Sequence, residues 1–169
     1  MLRTILISSI SIFCIMCNID TNKSTKSDAE GFGIFLTKND IHPEELIALS
    51  YIEPESEPII SCNEILYYIQ DNHNIVLNEP GKENLSNLDI PVRGKSFLVC
   101  VEQQIKYHGA FWTPASSIPF SGVVIVISKP ISDTIRLQIG YPEGIDSTYS
   151  DPRNNIDVMN ALEEEGKLM

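Results

Sequence analysis

The stretch Ser96 Phe97 Leu98 Val99 Cys100 Val101 Glu102 Gln103 Gln104 Ile105 Lys106 Tyr107 His108 Gly109 Ala110 Phe111 Trp112 places two apolar-rich runs around a short polar centre. That pattern spells a β-hairpin. Its register follows from the pleat, because successive side chains point to opposite faces and a one-residue slip sends every apolar group to the wrong side. A loop of three residues, Glu102 to Gln104, sets Val101 against Ile105, Val99 against Tyr107 and Phe97 against Gly109, with the larger apolar groups on one face. A two-residue loop that set Val101 against Lys106 and Val99 against His108 would turn the two apolar faces in opposite directions. The three-residue loop is the expected connection.

Outward from the hairpin, the β-rich runs Val123 to Ile127 and Thr134 to Ile139 are separated by Lys129 Pro130 and Ser132 Asp133, and read as a second antiparallel pair. On the amino side, Gly33 to Thr37 reads as a strand and Ile75 Val76 Leu77 as another, the latter after the turn chemistry of Asp71 Asn72 His73 Asn74. Helices are expected in four places. Pro43 Glu44 Glu45 opens one that reaches about Ser50. After the acidic connector Glu53 to Pro58, Ser61 and Glu64 form a capping box ahead of Ile65, Leu66, Tyr68 and Ile69. Glu79 Pro80 starts a third helix carrying Leu85 and Leu88. Asp151 Pro152 starts the last, with Ile156, Met159 and Leu162 at helical spacing and Gly166 as its stop. The expected fold is a single small α+β domain over residues 31–169: a mostly antiparallel sheet of about five strands, short helices packed on one face, and a C-terminal helix.

Ahead of this domain, Met1 to Thr4 carries one positive charge at Arg3, and Ile5 to Cys17 runs apolar or small without charge. Residues 1–17 read as a signal segment and 18–30, a polar stretch, as a flexible tether. The apolar run is short of the roughly 20 residues a membrane-spanning helix needs. With Cys17 closing the run, the opening resembles a bacterial lipoprotein precursor, and the resemblance implies lipidation of Cys17 and a domain held outside the cytoplasm, at the outer side of the cytoplasmic membrane or in the periplasm. The alternative is cleavage after the small residues Ser9 and Ser11, which would make the domain secreted.

Composition narrows the partners. The chain has 169 residues, 43% of them hydrophobic, and a formal charge of −11, an acidic balance that repels phosphate backbones. Nucleic acid is not an expected partner. Gly94 Lys95 Ser96 echoes the end of a phosphate-binding loop, but the glycine needed five residues earlier is Asp89. His42, His73 and His108 are too scattered for a zinc site, no cofactor motif is present, and Glu163 Glu164 Glu165 reads as a solvated face.

Two features remain as candidates. Cys100 and His108 fall on one sheet face as diagonal neighbours beside Lys106, the arrangement a thiol nucleophile and its base would need, although no third residue orients the imidazole. The stretch containing Phe111, Trp112, Pro114, Ser116, Ser117 and Phe120 combines aromatics, prolines and hydroxyls between two strands, as a recognition loop does. Its alternative is that these aromatics pack on the edge of the core. In an oxidising compartment Cys62 and Cys100 would be the pair left to form a disulfide.

Residues 73–127 resemble the small head module of the first periplasmic domain of the export subunit SecD, in His73 to Leu77, the helix through Leu85, Gly94 to Val101 with its hairpin, and Phe120 to Ile125. The resemblance implies a compact βαββ unit on the outer side of a membrane. It implies no export-motor role, since SecD-type proteins carry several membrane helices and this chain shows no second apolar segment long enough to span. The expected function is therefore a binding or accessory module of the cell envelope, non-catalytic and lipid-anchored, whose partners are the membrane through its lipid and an envelope protein or peptide. The alternatives are a small secreted hydrolase or thiol enzyme using Cys100 and His108, and a purely structural envelope protein.

Overall fold

The computed structural model describes residues 31–46, 51–145 and 148–169. The signal segment, the tether and Cys17 lie outside the described residues. Among those described, the chain builds β1 (Phe32–Leu36), α1 (Pro43–Leu46), β2 (Ile60–Ser61), β3 (Ile65–Ile69), β4 (Asn74–Leu77), α2 (Glu79–Asn87), β5 (Lys95–Val101), β6 (Gln104–Trp112), β7 (Phe120–Val126), β8 (Thr134–Tyr141) and α3 (Ile156–Glu164). The strands form one eight-stranded sheet in the order β2-β1-β5-β6-β7-β8-β4-β3.

This corrects the expected five-stranded sheet with helices packed on one face. The protein is mostly β, and the sheet is mixed, because β6 and β7 run parallel while the other neighbours are antiparallel. It is also curled. The strands at its two ends, β2 and β3, are joined through only Cys62, Asn63 and Glu64, so the sheet bends into a half-barrel. The largest apolar cluster takes Ile34, Ile60, Tyr68, Ile75, Phe97, Phe111, Val123 and Leu137 from the eight strands, Leu85 from α2 and Val158 and Leu162 from α3. Irregular backbone extends the pairing at both ends of the sheet. Residues 53–59 run along β1, with Glu55 N donating to Leu36 O at 2.9 Å and Ile59 N to Ile34 O at 2.8 Å. The C-terminal residues run along β3, with Tyr68 N donating to Lys167 O at 2.7 Å and Met169 N to Tyr68 O at 2.9 Å.

The expected helix over Ile65 to Ile69 is a strand. Its capping chemistry nevertheless forms: Glu64 Oε2 accepts from Ser61 N at 2.7 Å, and Asn63 N donates to Ser61 Oγ at 3.1 Å, closing a turn instead of opening a helix. Two aromatics and two isoleucines in Ile65 to Ile69 suit a pleated surface, and pairing with β4 decides the outcome. The C-terminal helix also starts later than expected, at Ile156, capped by the Asn155 side chain. Strand β4 pairs with β3 and β8, so the strand, helix and hairpin of residues 73–127 follow in order while β4 lies away from β5.

The hairpin keeps the expected Phe97–Gly109 and Val99–Tyr107 pairs and corrects the tip. Val101 pairs with Gln104 across a two-residue loop whose Glu102 and Gln103 have φ of 50° and 62°, as a primed hairpin turn requires. A bulge between Val99 and Cys100 absorbs the extra residue and restores the register further along. Gly109 is required where it is, since a Cβ there would come 2.4 Å from the Phe97 ring and 2.5 Å from Val123 O.

Candidate functional site

The outer face of β5 and β6 carries the residues that the sequence singles out. Leu98 and Cys100 belong there to a small cluster with Phe35 and Leu46, while Ala110 and Trp112 belong to another with Phe120 and Val124. Apolar residues on both faces explain why β5 and β7 read as continuous apolar runs instead of alternating. His108 pairs with Leu98 and so shares this face with Cys100, as expected. Burial pushes the Cys100 thiol up to about 12, and burial alone holds the His108 imidazole below its ordinary value. A thiol that stays protonated in the physiological range is not a nucleophile. Lys106 is taken by Asp157 of α3 at 2.8 Å. Cys62 packs against the inner core and Cys100 sits in the outer cluster, so the fold does not bring the two sulfurs together.

The stretch from Phe111 to Phe120 divides into inner and outer parts. Phe111 and Trp112 are both wholly buried, and Phe120 is buried with its ring stacked on Trp112 at 5.4 Å. The aromatics are packing groups, as the alternative reading had it. Residues 113–119 form the crossover that the parallel β6–β7 pair demands, laid over Ala110 and Val124 with Ile118 packed on that cluster. Ser116 pins it by donating to Val92 O at 2.6 Å, and Ile118 N donates to Ser116 Oγ at 3.2 Å. Pro114 and Ser117 remain exposed. The rim of the crossover, Thr113 to Ala115, faces Leu88, Asp89 and Ile90 and the segment Ile127 to Lys129 across a cleft of about 430 Å³. Lys129 does not reach freely into it, because its ammonium donates to Ser86 O at 2.7 Å at the end of α2.

A second cluster, which no sequence motif announces, lies on the inner side of the half-barrel. Tyr68 of β3 and Tyr107 of β6 point inward, and His73, in the turn before β4, meets the Tyr68 hydroxyl through Nδ1 at 2.7 Å. His73 has φ of 55°, a left-handed conformation uncommon outside glycine and somewhat more accessible to Asn, Asp and His. From the segment ahead of α3, Arg153 sends Nη1 to Leu137 O at 2.7 Å and grips Asp151 through Nε at 2.9 Å and Nη2 at 2.6 Å. Leu137 N in turn donates to the main-chain O of His73 at 3.0 Å, so the guanidinium and the backbones of β8 and the His73 turn are connected. Burial, reinforced by Arg153, holds His73 below its ordinary value, and the Arg153 hydrogen bond holds Asp151 below its own. Burial raises both tyrosines. The Tyr107 hydroxyl is buried with no hydrogen-bond partner. The signal that would have found this group is the density of Tyr, His, Asp and Arg in otherwise apolar neighbourhoods, but its members lie up to 85 residues apart, from Tyr68 to Arg153.

Among the described residues no group of His, Cys, Asp and Glu is placed to hold a metal ion, and no helix is long and apolar enough to cross a membrane. The carboxylates of Glu163 and Glu164 are exposed. Gly94 has a φ of +79° and packs against the Trp112 ring, and Lys95 pairs with Asp40 at 2.5 Å, so this segment is a turn into β5 and not a phosphate cradle. Comparison with family models, with curated proteins and with solved structures finds no match for this chain.

Proposed function

We propose that the chain is a non-catalytic binding module of the cell envelope, anchored through a lipid on Cys17 and engaging an extended segment of an envelope protein. The observation that carries the binding half is the cleft between Thr113–Ala115 and Leu88–Ile90. Its volume of about 430 Å³ falls in the range of ligand pockets, and its lining mixes leucine and isoleucine with backbone and hydroxyl groups. The anchoring half rests on the uncharged apolar run that ends at Cys17, followed by a polar stretch. The burial of Cys100 speaks against the thiol-enzyme alternative.

Both halves have direct tests. Intact-mass analysis of the membrane fraction should give a chain starting at Cys17 with a diacylglyceryl group, and full-length protein with Met1 among cytosolic proteins would overturn the reading. A photo-crosslinking residue at the exposed Ala115 should give one discrete adduct with an envelope protein in intact cells. The same residue at the exposed Glu55, on the far edge of the sheet, should not. Equal labelling from both positions would remove the cleft from the argument.

A further inference from the structure

The segment from Tyr149 to Asn155 is tied to β7, to β8 and to Gln70 at the end of β3, with Tyr149 packed on the inner cluster, and what holds it down is chemically specific. Arg153 is the central fastening, bonded to the β8 backbone at Leu137 O, and Asn154 accepts from Gln70 Nε2 at 3.2 Å. Tyr149 is hydrogen-bonded to the Val123 backbone. Beneath the strap lie His73, only 7% exposed, and the Tyr107 hydroxyl without a partner.

The state of His73 bears on all of this. Its Nδ1 lies 2.7 Å from the Tyr68 oxygen, and in the neutral tautomer that carries its proton on Nε2 the Tyr68 hydroxyl donates to it. A proton on Nδ1 removes that acceptor. It also places a second cation beside Arg153, which already has its one carboxylate, Asp151, in a two-pronged grip. The other charges nearby do not compensate: Arg136, opposite Asn74 on β8, is exposed and ion-paired with Glu143, and Lys167, beside β3, donates to Ile65 O at 2.7 Å. Tyr107 and Tyr149, the remaining titratable groups around the site, stay neutral across the acid range.

We propose that residues 149–155 form an acid-released latch, seated while His73 is neutral and lifted when His73 takes up a proton, exposing the Tyr68–Tyr107 patch to ligand or solvent. The sign follows from linkage. A histidine whose folded value lies below its ordinary value of about 6.5 contributes stability that is present above that value and lost as pH falls through the folded value. Asp151 acts in the same direction only below about pH 4, which leaves a clean window above it.

The test is amide hydrogen exchange on the full chain between about pH 7.5 and pH 5, normalised to α2 as an internal reference. Wild type is compared with His73→Asn, which tolerates the left-handed backbone, and with His108→Asn, which controls for the other half-buried imidazole. Protection of residues 149–155 should fall by roughly tenfold or more in wild type and in His108→Asn, and stay level in His73→Asn. No loss in wild type, or equal loss in His73→Asn, overturns the latch. Should His73→Asn fail to fold, NMR titration of wild type decides. A His73 midpoint below about 6.5, shared by the Arg153 Nε–H signal, supports the proposal, and independent midpoints or a higher value overturn it.

Discussion

The outer face of the β5–β6 hairpin and the inner patch under residues 149–155 are built from similar materials and do opposite things. On the outer face, a cysteine, an imidazole and a tryptophan within 13 residues of one another look like a site, yet the cysteine and the tryptophan are packed into two separate apolar clusters and the imidazole is half-buried. On the inner side, two tyrosines, a histidine, an arginine and an aspartate from four separate segments look like nothing in the sequence and are brought together, with Tyr68 bonded to His73 and Arg153 to Asp151 and the β8 backbone. Proximity along a hairpin guarantees contact but not purpose, because burial without a charged partner only silences titratable groups. Chemistry needs burial together with a partner of complementary charge; Asp151 and Arg153, two residues apart, form such a pair, and the fold brings it beside His73.

Substitutions at five positions sharpen the contrast, taken in order of expected effect. Trp112→Ala removes a wholly buried ring stacked on Phe120, and should cost about 3–5 kcal/mol in urea unfolding, as cavity-forming aromatic truncations do. A loss below about 1 kcal/mol would mean the outer cluster is not a true core. Arg153→Ala strips two charge-assisted contacts from a side chain that is 16% exposed, and should cost about 2–3 kcal/mol while raising exchange in residues 149–155. Little change would mean that the strap is held by something else.

Cys100→Ser trades a buried thiol for a hydroxyl with no acceptor, and should cost about 1–3 kcal/mol, more than Cys100→Ala. Native Cys100 should also resist thiol reagents at neutral pH until the protein unfolds; rapid labelling would show the outer face to be open. Tyr107→Phe is the smallest and most diagnostic. It deletes a buried hydroxyl that has no partner, so it should be neutral or stabilising by up to about 1 kcal/mol, whereas Tyr68→Phe removes the donor to His73 and should destabilise by about 1 kcal/mol. Tyr68→Phe should also move the His73 titration upward, since the lost bond favours the neutral ring. A downward shift would mean that Nδ1 carries the proton.

What the sequence determined by itself was local. Turn residues, the hairpin without the length of its loop, the strands β1, β4, β7 and β8, the start of α2 at Glu79 and the stop at Gly166 follow from steric rules that act within a few residues. The same rules misjudged Ile65 to Ile69, where a capping box closed a turn and the pairing with β4 overrode helix spacing. Only the tertiary structure decided the sheet order, the parallel β6–β7 pair and the second buried face, because an apolar run is equally satisfied by any neighbour that excludes water. It alone decided the inner patch, since the strength of a contact between Tyr68, His73, Leu137 and Arg153 depends on distances of about 3 Å that no spacing along the chain encodes.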